Sequence, residues 1–243
     1  MTALVIAVLL CAPADDSMIA TFVEGAVTAR DAPLSAGDML KAGDTVETRE
    51  GGRVEITVPG GTVIRMGESS RLTLLAATPH KTFSARLVLG NLWLRVHKLL
   101  ASEKFEVETE NAVAGVRGTE FRIEVAQDQP DLLRVYEGAV AVEGRQSRWS
   151  HEIEAGNELR FRREADPPRA FQTETEKGNR FMDWVRSRPT KDGGEPGHIH
   201  RFDSRNPERE HRIRERRKKW IRGHLRNSDE SSVWCPGIPT EVG

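Results

Sequence analysis

Between Ala20 and Arg162 the chain alternates apolar and polar residues in short runs: "TFVEGAVTA", "TVETRE", "RVEITV", "TVIRM", "RLTLL", "RLVLGNLWLRV", "FEVET", "EFRIEVA", "LLRVYEGAVAVEG" and "ELRFRR". A period of two is that of a strand with one face buried and the other turned outward. Glycine-centred breaks separate the runs at Ala36-Gly37-Asp38, Ala42-Gly43-Asp44, Glu50-Gly51-Gly52, Pro59-Gly60-Gly61, Met66-Gly67-Glu68, Glu137-Gly138 and Ala155-Gly156-Asn157. Such punctuation predicts turns, and no helical period of useful length interrupts the strands. Residues 20–163 therefore read as one mainly β domain of roll, barrel or sandwich type.

Beyond this domain the pattern changes. Residues 164–174 contain Pro167-Pro168 and no alternation, and read as a linker. Over 175–188, "FMDWVRSR" sets Phe181, Trp184, Val185 and Arg188 at helical spacing, predicting a short amphipathic helix that packs back on another element. Residues 189–206 read as loop. Asn206-Pro207-Glu208 supplies an N-cap, a first-turn proline and a first-turn acid for a second helix over 207–226, and 227–243 reads as a polar tail. The expected architecture is thus a β domain followed by a C-terminal α-helical basic arm.

At the other end, Ala3–Leu10 is an apolar run followed by Ala12-Pro13-Ala14, the small-x-small pattern of a signal peptidase site. Residues 1–14 read as a signal peptide, with a mature chain starting at Asp15. The run is well short of the roughly 20 residues a membrane-spanning helix needs. Leu10, just before Cys11, is a poor match to the small residue that lipoprotein processing requires, and cleavage after Ala14 would leave Cys235 as the one cysteine.

Composition adds one feature that the pattern does not show. The net charge is −1, with 36 basic and 37 acidic residues, yet residues 1–179 carry −6, residues 180–226 carry +8 and the remainder −3. The positive charge concentrates in "REHRIRERRKKWIRGHLR". There Arg212, Arg214, Arg216, Arg217, Lys218, Lys219, Arg222 and Arg226 surround a thin apolar line of Ile213, Trp220, Ile221 and Leu225. A helix of this kind either docks by its stripe on its own domain or engages an anionic surface such as phospholipid headgroups or an acidic polymer.

Reactive chemistry is poorly represented. In "NAVAGVRGTEFRIEV" the glycines sit between two strand-like runs, whereas a phosphate-binding glycine loop leads from a strand into a helix. Gly115 and Gly118 read as corner residues needing positive φ or close backbone approach, and Arg117 as glue for nearby carbonyls or for Glu120. His198 and His200 lack acidic or cysteine partners at a metal-ligand spacing. No serine has the context of a nucleophile elbow. The sequence predicts no enzyme, no cofactor and no metal.

The β domain resembles the FecR family, a bacterial domain named after the ferric citrate regulator. The resemblance is strongest at "ETENAVAGVRGTEFRIEV", whose Gly115, Arg117, Gly118, Thr119 and Phe121 match the family signature. It extends to the paired Gly-Asp turns and glycine-rich hairpin of "LSAGDMLKAGDTVETREGGRVEITVPGGTVIRMGESSRLTL", and to "LLRVYEGAVAVEG" and "IEAGNELRF", spanning about Phe22–Phe161. Regulatory members have a cytoplasmic sigma-factor-binding segment and a membrane helix ahead of a periplasmic β domain. This sequence shows neither, which disfavours an anti-sigma role and makes the chain resemble the stand-alone exported form.

That resemblance implies a non-catalytic protein-interaction or sensing module in the cell envelope, periplasmic or secreted, with an envelope protein as its unknown partner. The alternative is a binder of anionic membrane or polymer through the basic arm. An exported chain would not be expected to meet nucleic acid.

Overall fold

The computed structural model describes residues 18–58, 60–78, 82–97, 103–146, 148–172 and 176–188. All lie in the first of the chain's two units, residues 1–197. The expected signal peptide, the loop at 189–206, the basic helix with its Arg212–Arg226 cluster and the tail lie outside the described residues.

In chain order the described elements are β1 (Met18–Glu24), β2 (Val27–Ala29), β3 (Ala32–Pro33), β4 (Met39–Leu40), β5 (Thr45–Thr48), β6 (Arg53–Val58), β7 (Thr62–Met66), β8 (Arg71–Thr78), β9 (Thr82–Arg95), β10 (Lys104–Glu108), β11 (Ala112–Val116), β12 (Glu120–Val125), β13 (Asp131–Glu137), β14 (Ala139–Gly144), β15 (Ser150–Glu154), β16 (Asn157–Phe161), β17 (Arg169–Ala170) and α1 (Arg180–Ser187). The expectation of a mainly β fold holds, and the helical part is represented by α1 alone among the described residues.

The strands form two sheets that share β9. Sheet A runs β4, β1, β6, β7, the C-terminal half of β9, β12, β13, β16, β17. Sheet B runs β3, β2, β5, β8, the N-terminal half of β9, β10, β11, β14, β15. All these pairings are antiparallel except β9 with β10. The chain crosses repeatedly between the sheets, so that each strand's apolar phase meets that of the other sheet. Ile56, Ile64, Leu94, Phe121 and Val135 from sheet A join Leu72, Leu87, Val107, Val116 and Val142 from sheet B in one core.

Crossing between sheets within so few residues needs backbone that an L-residue rarely adopts, and positive-φ residues stand at the crossings. Within β9 the turn falls at Gly90, φ 97°, where a Cβ would lie 2.1 Å from the Ser70 hydroxyl oxygen. The same hydroxyl accepts a hydrogen bond from the Asn91 amide at 3.0 Å, stitching the bend to the neighbouring corner. Between β13 and β14, Gly138 has φ 86°, and a Cβ there would lie 2.9 Å from the Gly118 carbonyl oxygen. Two sheet crossings therefore stack directly on each other.

Two sequence expectations need correction. The stretch read as a linker, 164–174, contains β17, which pairs Arg169 and Ala170 with Glu158 and Asn157 at the edge of sheet A. Two residues are too few to show a period. The helix expected over 175–188 begins at Arg180, because Gly178 turns the chain at φ 79° and the Asn179 side-chain oxygen caps the amides of Phe181 and Met182 at 3.1 Å each. It ends at Arg188, which is extended and precedes Pro189 in sequence, as the residue before a proline tends to be.

Candidate functional site

The signature segment divides its residues between corner and core. Gly118 has φ 61° and sits at the crossing from sheet B to sheet A, next to Arg117, which is half-buried. The Thr119 carbonyl accepts from the Val96 amide at 2.9 Å, while its buried hydroxyl has no hydrogen-bond partner. Phe121 is fully buried among the core side chains. Gly115 departs from expectation: it lies inside β11, opposite Glu106 and Ala141 and without positive φ, since ladder pairing on both sides holds it extended. The Glu120 carboxylate accepts from the Trp93 indole N–H at 3.3 Å and pairs with Arg95 at 3.3 Å.

The largest concentration of buried charge lies elsewhere, on the outward face of sheet A. Register places Phe22, Glu55, Arg65, Trp93, Arg122, Arg134, Glu158 and Arg169 in one row across eight strands. By alternation these are outward positions that would ordinarily meet water. Instead α1 and the turn before it lie across them. Phe181, Met182, Trp184 and Val185 pack with Val63, Trp93 and Tyr136 in a second apolar cluster, separate from the core between the sheets. Gly67 makes room for this strap: its φ is not positive, but a Cβ there would lie 2.9 Å from a ring carbon of Phe181.

Glu176 joins the strap to the row. Its side chain is 0% exposed; Oε1 accepts from Arg122 (3.2 Å), Arg134 (3.0 Å) and the Tyr136 hydroxyl (2.7 Å), and Oε2 from Arg186 (3.2 Å). Arg65, also 0% exposed, donates to the carbonyls of Val185 (2.7 Å) and Arg188 (3.2 Å), satisfying acceptors that a helix C-terminus leaves open. The three sheet arginines are also gripped from within the sheet: Arg65 by Glu55 at 2.8 Å, Arg122 by the Asn91 side-chain oxygen at 2.6 Å, Arg134 by Glu158 at 2.9 Å. Aromatic faces complete the cage, with the Arg65 guanidinium 4.9 Å from the Trp93 ring centre and that of Arg188 3.8 Å from Phe22.

The surroundings shift the carboxyls in opposite directions. Burial pushes Glu55 up, but hydrogen bonds from Thr21 and Arg65 and the charges of Arg65 and Arg188 outweigh it and hold Glu55 below 4.5. Glu158 behaves alike: Arg134 and Arg169 overcome burial and lower it. Burial dominates at Glu120 and Asp131, raising both despite partners at Trp93, Arg95 and Asn111. Burial, then the Glu176 charge, pushes the Tyr136 phenol far up, so it stays protonated and donates. Every carboxylate at the centre of this face has a hydrogen-bond donor.

Sequence reasoning predicted the amphipathic helix and its packing but missed what it packs on. Arg65, Arg122, Arg134 and Glu176 each sit in a polar phase or a turn, where solvent is the ordinary neighbour. The available signal was aromatic: Phe22, Trp93 and Tyr136 occupy the polar phase of their strands. Among the described residues there is no group of three His, Cys, Asp or Glu able to hold a metal ion, and no helix long and apolar enough to cross a membrane.

Residues 44–141 match the family model described as FecR protein. The match runs from the turn before β5 into β14 and includes the signature segment. No curated protein matches the chain. Two crystal structures, both of a candidate anti-sigma factor from Parabacteroides distasonis ATCC 8503, are similar at 16% identity. One has a TM-score of 0.49, with 58% of this chain and 64% of that chain covered. The other has a TM-score of 0.48, with 55% and 62% covered. The similarity thus spans less than two thirds of either solved chain.

Proposed function

We propose that this protein is a non-catalytic, FecR-type interaction or sensing module of the bacterial cell envelope. The observation that carries this reading is the FecR match over residues 44–141, which falls on the two-sheet body. The surfaces of that body favour binding. Sheet A is covered by the chain's own strap, and sheet B turns outward a half-exposed ladder in which Arg86 and Arg145 pair with Glu108 at 2.8 and 2.6 Å, with Val88 beside it 45% exposed. Exposed ion pairs of this kind add little to stability and are available to a partner.

The test combines location with contact. The full chain, carrying a photo-crosslinking residue at Val88 or at Met39, is expressed in its native host, fractionated and irradiated. The reading expects the protein in the envelope or medium and a discrete adduct from at least one position. Cytosolic fractionation with no adduct from either position would refute it.

A further inference from the structure

The outward face of sheet A has the properties of a receptor rather than of a fixed second core. Its polar recognition groups, Arg65, Arg122, Arg134 and Tyr136, all belong to the sheet, and the three arginines keep sheet partners of their own in Glu55, Asn91 and Glu158. The face would therefore retain its shape without the strap. Its demands on a ligand are few. Arg65 reads two main-chain carbonyls, which any helix C-terminus offers, and Arg122, Arg134 and Tyr136 converge on one carboxylate oxygen. Two aromatic side chains fill the rest: Phe181 over Gly67, and Trp184 within 5.9 Å of Phe22. The occupant is eight helical residues long, too short to hold a helix by itself, so it takes its shape from the face.

We propose that this face is an exchangeable helix-docking site. Its ligand is a short helix with a carboxylate five residues ahead of an aromatic-x-x-aromatic pair, and residues 176–188 are the copy that the chain carries itself. The strap occupies the site at the high effective concentration of an attached segment. A partner protein presenting the same pattern takes its place when the strap is weakened or drawn away. Charge complementarity sets the choice: arginines cluster on the face, and an incoming helix without the carboxylate would leave Arg122, Arg134 and Tyr136 without their shared acceptor. The proposal rests on the protein-interaction reading above and names the partner's chemistry.

The test titrates a fluorescein-labelled synthetic peptide of residues 176–188 with the full chain, read by anisotropy. Three proteins are compared: wild type, Phe181→Ala/Trp184→Ala, which loosens the resident strap without altering the sheet, and Glu176→Gln, which serves if the double variant loses its β circular dichroism. Saturable uptake at least tenfold tighter by a loosened variant than by wild type is expected. A Glu176→Gln peptide should bind at least tenfold more weakly than the parent peptide. No saturable uptake by a folded, loosened variant, or equal binding of the two peptides, overturns the docking site. A crosslink from Val88 without peptide uptake would leave the interaction module standing and remove only this site.

Discussion

Replacing Glu176 with glutamine keeps the size of the side chain and removes its charge from a site it shares with Arg122, Arg134, Tyr136 and Arg186. Glutamine keeps one acceptor oxygen, but its amide N–H groups face guanidinium donors. Breaking a buried ion pair by removing one partner costs about 3–5 kcal/mol, and with Glu176 0% exposed no solvent screening reduces that figure. Because the sheet arginines keep Asn91 and Glu158, the cost should fall on strap docking more than on the two-sheet body. Hydrogen exchange read by mass spectrometry separates the two: amide protection in 180–188 should drop roughly 150- to 5,000-fold, while β7, β12 and β13 change little. Asp183→Asn is the control. Its side chain is 56% exposed and only 3.8 Å from Arg186, and its loss should cost about 0.5 kcal/mol. A drop under tenfold in the strap, or an equal loss across the sheet, would refute the assignment of Glu176 as the strap's anchor.

Further outcomes follow from the same geometry. Gly67→Ala places a methyl 2.9 Å from Phe181 without positive φ, so it should raise amide exchange in the strap while β12 and β13 change little; unchanged strap exchange would count against the contact. Gly138→Ala combines φ 86° with a 2.9 Å approach to the Gly118 carbonyl and should cost about 2–4 kcal/mol in urea unfolding, whereas Gly43→Ala, with φ 92° and open space, should cost about 1 kcal/mol. Glu55 binds fewer protons folded than unfolded, so its contribution to stability is complete above pH 4.5 and is lost as pH falls through its depressed folded value. Urea midpoints of Glu55→Gln should therefore show a shallower acid loss than wild type in that window; parallel curves would refute this. Vesicle sedimentation decides between the two readings of the basic arm: an arm that engages an anionic surface makes the full chain, but not a chain ending at Arg188, bind anionic vesicles at low salt and release them at high salt, whereas equal, salt-insensitive behaviour of the two chains leaves the arm a structural helix.

What the sequence made legible, and what it did not, follows from the kind of information each element carries. Strand alternation is local, so the strands and the inner core at Phe121, Ile123, Leu133 and Val135 could be read directly. The two-sheet arrangement depends on which corner crosses and which hairpin stays, and Gly60-Gly61 within sheet A looks the same in sequence as Gly118 between sheets. Gly67 shows the limit most clearly. By its neighbours it reads as turn punctuation, yet what demands glycine there is the Phe181 ring, 114 positions away in sequence. The arginine row was hidden for a related reason. Arg65, Arg122 and Arg134 occupy solvent phases by alternation, and only a segment arriving from beyond the FecR match turns those phases into buried ones. The aromatic residues in the same phases mark the face from the sequence side. Trp93 and Tyr136 would leave large apolar surfaces in water unless something covered them, and the helix stripe of Phe181 and Trp184 is the complementary surface. Reading both as halves of one contact recovers the docking geometry, and Glu176, with no periodic signal of its own, is the residue that only the folded structure reveals.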